Sequence, residues 1–263
     1  MKECGCMSNL ESDGPKSLNQ AAFGVLAETE EFLVVDKPAG LLVHPTKPGG
    51  PRTLWDGVKD LLSYELANGG SVSIVNRLDR ETSGIVLIAK TPAAARRAGL
   101  AMQNHLIRKR YLAVVFGWPD WDRKEITEPI LRKGEVMTTN VYLQRMVHPE
   151  GMPSHTRFEV KSRGSLHDQR RFSVIAVEPL TGRTHQIRVH LAHAGHPVVG
   201  DKIYASDGRH YLDFIANNWT EELAHELWMP RHALHCESMS LEGTEWHSPL
   251  PEDMRGFLYP ESP

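Results

Sequence analysis

The stretch Val75-Asn76-Arg77-Leu78-Asp79-Arg80-Glu81-Thr82-Ser83-Gly84, running straight into Ile85-Val86-Leu87-Ile88-Ala89, decides how the chain is read. The second half is continuously apolar and rich in β-branched residues, which predicts a strand buried on both faces. The first half is a compact polar loop joined to that strand by a glycine, and it sets a carboxylate, Asp79, between Arg77 and Arg80. Neighbouring cations lower a carboxylate's pKa and keep it ionised, which suits a nucleophile or a base and not an acid. Loops fixed to a rigid sheet are where catalytic groups are commonly presented. The bland alternative is a solvated Asp–Arg pair worth under about 1 kcal/mol, or an aspartate that only caps a turn.

Working outward, residues 25–27 and 32–35 predict two short strands, the second ended by Lys37-Pro38-Ala39-Gly40, because proline cannot donate to a ladder and glycine supplies a turn. A Pro/Gly-rich loop leads to an amphipathic helix over 54–66, with Leu54, Val58, Leu61 and Leu62 as its stripe. A strand over 72–75 precedes the Asp79 loop. Beyond it, Thr91 caps a helix that opens at Pro92 and runs to 106. Further strands are predicted over 111–116, 156–161, 172–177 and 232–241, and a helix that Thr184 caps and Gly195 ends. Strands and helices follow one another with no regular βα alternation and no internal repeat. That pattern predicts an α+β fold around a mixed sheet. Residues 1–22 are expected to be a flexible leader, and 23–263 a single domain.

The chain has 263 residues, 40% hydrophobic and 24% charged, which is ordinary for a globular protein. No apolar run reaches the roughly 18–20 residues of a membrane-spanning helix, and the N-terminus lacks a signal-peptide core. Three cysteines, Cys4, Cys6 and Cys236, form no even framework, which fits a reducing, cytoplasmic setting. A net charge of −3 argues against an RNA partner when taken as a sum. The distribution argues otherwise: acidic residues gather before Asp36 and after Asp201, and a run of cations from Arg77 to Arg188 lies between. Such a basic middle could form one positive face, or could be ordinary solvated charge.

Two further stretches carry chemistry. In Thr181-Gly182-Arg183-Thr184-His185-Gln186-Ile187-Arg188, Ile187 faces the core and leaves Arg188 at its edge, where a cation needs a buried acidic partner. The histidines at 185, 190, 193 and 196 invite a metal reading, but their spacing does not repeat a known zinc pattern, and hydrogen-bonding roles are favoured. In Arg108-Lys109-Arg110-Tyr111, an aromatic ring beside three cations could stack on an unstacked base. On pattern alone a strand-end tyrosine, with its ring in the core and its hydroxyl outside, is favoured.

Together these stretches resemble the motif set of RluA-type RNA pseudouridine synthases. The segment beginning Asp36-Lys37-Pro38-Ala39-Gly40 resembles the family's opening motif, and Arg77-Leu78-Asp79-Arg80 its catalytic motif. Lys109-Arg110-Tyr111-Leu112-Ala113 resembles the tyrosine motif. Residues 181–204, which include Pro197-Val198-Val199-Gly200-Asp201, resemble the arginine motif, and the similarity spans about 24–253 in the family's order. The resemblance implies a mixed, mostly antiparallel sheet with flanking helices and a central RNA-binding cleft; many relatives add a small N-terminal RNA-binding domain, which is not expected here because only about 23 residues precede the first motif. It implies Asp79 as the essential aspartate, Tyr111 as the ring against the target uracil, and Arg188 as the partner of Asp79. Arg77, with Arg80, would face the RNA beside the space left by the flipped uridine, and Ile187 would line the base pocket. No cofactor and no metal are implied. The partner would be RNA, tRNA and/or rRNA, handled by a monomer. One departure stands out: relatives commonly have histidine where this chain has Asn76, which removes a proton-transfer group and leaves a hydrogen-bonding one. The rival readings are an RNA-binding protein that keeps the fold without catalysis, and a histidine-dependent metallohydrolase on residues 185–196.

Overall fold

The computed structural model describes residues 22–258. Cys4, Cys6 and nearly all of the expected leader therefore lie outside the described residues. In chain order the elements are β1 (Gly24–Glu28), β2 (Phe32–Lys37), α1 (Leu54–Leu61), α2 (Ser63–Ala67), β3 (Ser73–Ile74) and β4 (Ser83–Ala89). Next come α3 (Pro92–Gln103), β5 (Arg108–Phe116), β6 (Arg123–Ile126), β7 (Ile130–Arg132), β8 (Arg145–Val147), β9 (Thr156–Ser165) and β10 (Arg171–Pro179). The chain closes with α4 (Gln186–His193), α5 (Arg209–Asn217), α6 (Glu221–Leu227), β11 (Leu234–Leu241), β12 (Thr244–His247) and α7 (Glu252–Leu258).

One large sheet runs in the order β1-β2-β4-β11-β5-β10-β9-β6, with β3 beside β4 and β12 beside β11, while β7 and β8 form a separate hairpin. Among the described residues only the β4–β11 pair is parallel, and every other strand pairing is antiparallel. The fold is thus α+β with a mixed, mostly antiparallel sheet, as the sequence indicates. All seven residues of β4 are buried, because β2 and β11 flank its first half and β2 and β3 its second. Gly84 makes the crossing with β11 possible. Its φ is +110°, and a Cβ there would sit 2.2 Å from the Cys236 carbonyl oxygen, so no side chain fits.

Several boundaries differ from expectation: β5 begins at Arg108 instead of 111, and β9 runs to Ser165 instead of 161. The helix over 54–66 breaks at Leu62 into α1 and α2: Leu54, Val58 and Leu62 are buried but Leu61 is 45% exposed, so the stripe follows i, i+4, i+8 and ends there. The Pro92 helix stops at Gln103 instead of 106. His105 takes φ 56°, the Leu106 N–H donates to the Ala101 carbonyl and the His105 N–H to that of Met102, a Schellman ending with histidine in the usual glycine place. The strand expected from 232 begins at Leu234. The Thr91 cap is as expected, its hydroxyl accepting from the Ala94 N–H at 3.1 Å.

Candidate active site

The Asp79 loop is held from three sides. Its own turn closes through the Thr82 N–H on the Asp79 carbonyl at 3.1 Å. Asn76, buried behind it, donates from Nδ2 to the Ile85 carbonyl at 3.0 Å and accepts from the Leu87 N–H at 2.8 Å, fastening the loop to β4. Its position before Arg77 is therefore a structural one, matching the hydrogen-bonding role left to it by the sequence. From below, the Gly40 N–H donates to the Arg80 carbonyl at 2.8 Å. The Lys37 ammonium donates to the carbonyls of Pro38, Leu41 and Arg80 at 2.8, 2.9 and 3.1 Å. Lys37 is fully buried, and burial pulls it down to about 7, against the opposing attraction of Asp79. The turn after β2 is thus the floor on which the Asp79 loop rests.

Arg188 arrives from the other side of the cleft on α4. The turn into α4 is tied by the Gln186 side chain, which accepts from the Thr181 hydroxyl at 2.7 Å and the Arg183 N–H at 2.9 Å. Thr184 does not cap this helix: His185 occupies that place with φ 58° and makes no capping bond. Thr181 and Gln186 have already closed the turn, and α4 needs no hydroxyl at 184. The Arg188 Nη1 donates to Asp79 Oδ2 at 2.8 Å, while its Nε and Nη2 grip Asp201 at 2.6 and 2.8 Å. Asp201, fully buried, also accepts the N–H groups of Ile203 and Tyr204 at 3.0 and 3.1 Å. A bidentate arginine is fixed in its plane, so the single nitrogen left over is aimed at Asp79. The Tyr204 ring lies 5.1 Å under the guanidinium and its hydroxyl meets His185 Nδ1 at 2.8 Å.

Electrostatics follow from this packing. Burial pushes the Asp79 carboxyl up, but the charges of His185, Arg188 and Lys37 and the Arg188 hydrogen bond outweigh it and hold it below the usual aspartate value. His185 itself is driven down to about 4 by burial and by Arg188. At neutral pH the histidine is therefore uncharged and its charge acts on Asp79 only in acid, which leaves Arg188 as the hydrogen-bonded cation beside Asp79. The Asp79 side chain remains 28% exposed while Arg188 is 5% exposed. The carboxylate is the part of the pair a ligand can reach.

The other expected residues divide. Tyr111 and Ile187 join the core, each 7% exposed, and burial, the Cys236 thiol and the Asp79 charge raise the Tyr111 phenol well above its ordinary value. Arg77 and Arg80 are exposed at the loop, Arg80 beside Glu81 at 3.3 Å. The histidines do not converge. His190 meets the Thr156 hydroxyl and the Glu128 carbonyl, and His196 the Phe116 carbonyl. Among the described residues no group of His, Cys, Asp and Glu is placed to hold a metal.

The basic middle is largely neutralised where it stands: Arg97, Arg157, Lys161, Arg163 and Arg170 each pair with a carboxylate. A groove of about 720 Å³ lined by Arg108, Arg110, Arg123, Lys124 and Arg157 also carries Glu125, Glu159, Glu178 and Glu245, so its charge is mixed. Sequence reasoning missed the parts played by Lys37, Asp201, Tyr204 and His185. The available signals were a lysine at the end of a buried strand and an aspartate after Val198-Val199-Gly200.

A family model described as RNA pseudouridylate synthase matches residues 31–193, the segment that contains Asp79, Tyr111 and Arg188. The chain belongs to the RNA pseudouridylate synthase family. Its similarity to the ribosomal large subunit pseudouridine synthase D of Pseudomonas aeruginosa is 34% identity over 257 residues, covering 94% of this chain and 74% of that protein. The Yersinia pestis protein of the same name is 32% identical over 255 residues, covering 94% and 73%. Among solved structures, human RNA pseudouridylate synthase domain containing 1 superposes with a TM-score of 0.63 at 25% identity, covering 92% of this chain and 89% of that one. Human RNA pseudouridylate synthase domain containing 4 gives 0.66 at 20% identity, with coverage of 88% and 92%, and supports the fold alone. As a pseudouridine synthase of the RluA type the protein is an isomerase acting on uridine in RNA.

Proposed function

We propose that this pseudouridine synthase modifies uridines in structured RNA, large-subunit rRNA first among the candidates, with Asp79 as its catalytic carboxylate. The observation that carries the reading is Asp79 itself, partly exposed, ionised, and fixed by an otherwise buried arginine. The preference for rRNA rests on the relatives named as ribosomal large subunit enzymes; tRNA is the second candidate.

In the reaction the bond from uracil N1 to ribose C1′ breaks, the base turns, and C1′ bonds to C5; C5 gives up its proton and N1 gains one. Nothing else enters or leaves, so no cofactor is required. A uracil stacked in an RNA helix is out of reach, and extruding it costs a few kcal/mol. In this reading Arg77 and Arg80 face the RNA at the mouth, Arg77 beside the vacated space. The Tyr111 ring stacks on the flipped base, which offsets about 1–3 kcal/mol, and Ile187 completes the pocket wall. Asp79 then either attacks the sugar or base, or removes a ribose proton to give a glycal; both routes need the carboxylate ionised. The working unit is a monomer in the cytoplasm, and no helix of the described residues is long and apolar enough to cross a membrane.

The test is tritium release from RNA labelled at uracil C5, run separately on bulk tRNA and on large-subunit rRNA lacking its own modifications. Release from rRNA alone supports the reading, release from tRNA alone moves the substrate class, and release from neither opposes both.

A further inference from the structure

His185 uses only one of its two ring nitrogens in holding the fold. Nδ1 lies 2.8 Å from the Tyr204 hydroxyl, and that hydroxyl oxygen already accepts the Arg145 backbone N–H at 3.0 Å. Among the described residues Nδ1 is the acceptor within reach of the hydroxyl's own hydrogen, so the Tyr204 O–H donates to Nδ1. This network assigns the ring proton to Nε2. Nε2 makes no hydrogen bond among the described residues, and the His185 side chain is 10% exposed. It stands 3.9 Å from Asp79 Oδ2, too far for a hydrogen bond. The backbone at His185 is left-handed, with φ 58°, a conformation a histidine adopts at some cost. That strain sits at the residue that presents an idle donor to the reactive carboxylate.

An idle donor beside a reacting group suits an acceptor brought by the substrate. On every route the C1′–N1 bond breaks beside Asp79, and the uracil atom nearest C1′ that can accept a hydrogen bond is O2. When the C1′–N1 bond breaks, its electron pair passes to N1 and spreads onto O2 and O4. We propose that His185 is a catalytic residue whose Nε2–H donates to O2 of the flipped uracil and stabilises the charge that gathers there. The proton stays on Nε2 throughout; the step is a hydrogen bond that strengthens, not a transfer. A neutral ring suits this better than a cation, because imidazolium would bind the Asp79 carboxylate instead. Burial and Arg188 keep the ring neutral above about pH 4. The inference rests on Asp79 being the reactive carboxylate.

The test compares synthetic stem-loops, taken from the RNA the wild-type enzyme modifies, with oxygen or sulfur at position 2 of the target uridine. Sulfur is the poorer acceptor. Single-turnover rates and RNA affinity are measured for wild type, His185→Gln, His185→Ala and Tyr204→Phe. The expected result is a sulfur penalty of about tenfold or more in wild type and in His185→Gln, whose amide N–H can replace Nε2–H. In His185→Ala the penalty falls to within about twofold, its rate on the oxygen RNA is already low, and its affinity is unchanged. Tyr204→Phe, which frees the tautomer, shows a reduced penalty and stands in if His185→Ala does not fold. An undiminished penalty in both variants overturns the role of His185, and turnover by Asp79→Asn overturns the assignment beneath it.

Discussion

Asp79 and Arg188 lie 109 positions apart in the chain and meet at 2.8 Å, through the one Arg188 nitrogen that Asp201 leaves free. The arginine is therefore not shared equally. Asp201 is the buried anchor that makes it affordable inside the protein, and Asp79 is the exposed end of the triad. Losing one member of such a buried set leaves an uncompensated charge, at about 3–5 kcal/mol. Asp201→Asn is expected to destabilise the protein by about that much, and Arg188→Lys to be no rescue, because lysine cannot keep the fork. Urea denaturation of both variants checks this; a shift under about 1 kcal/mol for Asp201→Asn would show that the anchor is dispensable.

The pH dependence has a definite sign. Asp79 is held below the usual aspartate value in the folded protein, so turnover stays flat as pH falls to about 4 and declines only beneath that. Replacing Arg188 by methionine removes the attraction and the hydrogen bond but leaves the burial, so the carboxyl moves up and the acid limb of residual activity moves to higher pH. The folded-state depression of Asp79 and Asp201 likewise adds stability that is full above about pH 4 and lost as pH falls through their lowered values. Single-turnover profiles and acid unfolding curves read the two effects separately. An acid limb that stays put in Arg188→Met contradicts the assignment.

Asn76 is placed to hold structure, not protons. Asn76→Ala strands the Leu87 N–H and the Ile85 carbonyl, and each unmet buried group costs about 1–3 kcal/mol. The variant is expected to melt earlier while its folded fraction turns over at a rate within a few-fold of wild type. A large kinetic loss with an unchanged melting temperature would give Asn76 a part in the chemistry.

Lys37 makes a similar case from beneath the loop. Lys37→Met removes the buried ammonium and its three bonds to the Pro38, Leu41 and Arg80 carbonyls and is expected to cost about 2–4 kcal/mol of stability. Chemical denaturation measures it; a neutral result would mean that the floor of the loop does not depend on the ammonium.

The two halves of this site differ in how much the sequence discloses. β4 is legible because seven successive apolar or small residues can only be a strand covered on both sides. The need of Arg188 for an acidic partner is legible because a charge at the core edge requires one. That the partner set includes Asp201 is not, since it lies 13 positions along a chain that must first fold back on α4. His185 is hidden for a different reason. Its left-handed backbone places it at the helix entrance in the position expected of Thr184, and no local pattern marks a histidine for that conformation. The break at Leu62 escaped the stripe because Leu61 looks apolar in sequence and faces water in the fold.

The most direct measurement is single-turnover tritium release from C5-labelled RNA by wild type and Asp79→Asn, with RNA affinity measured alongside. The account predicts that Asp79→Asn binds as tightly as wild type and releases no tritium above background. Measurable turnover by Asp79→Asn would contradict it, because the reaction would then be proceeding without the carboxylate on which the whole site converges.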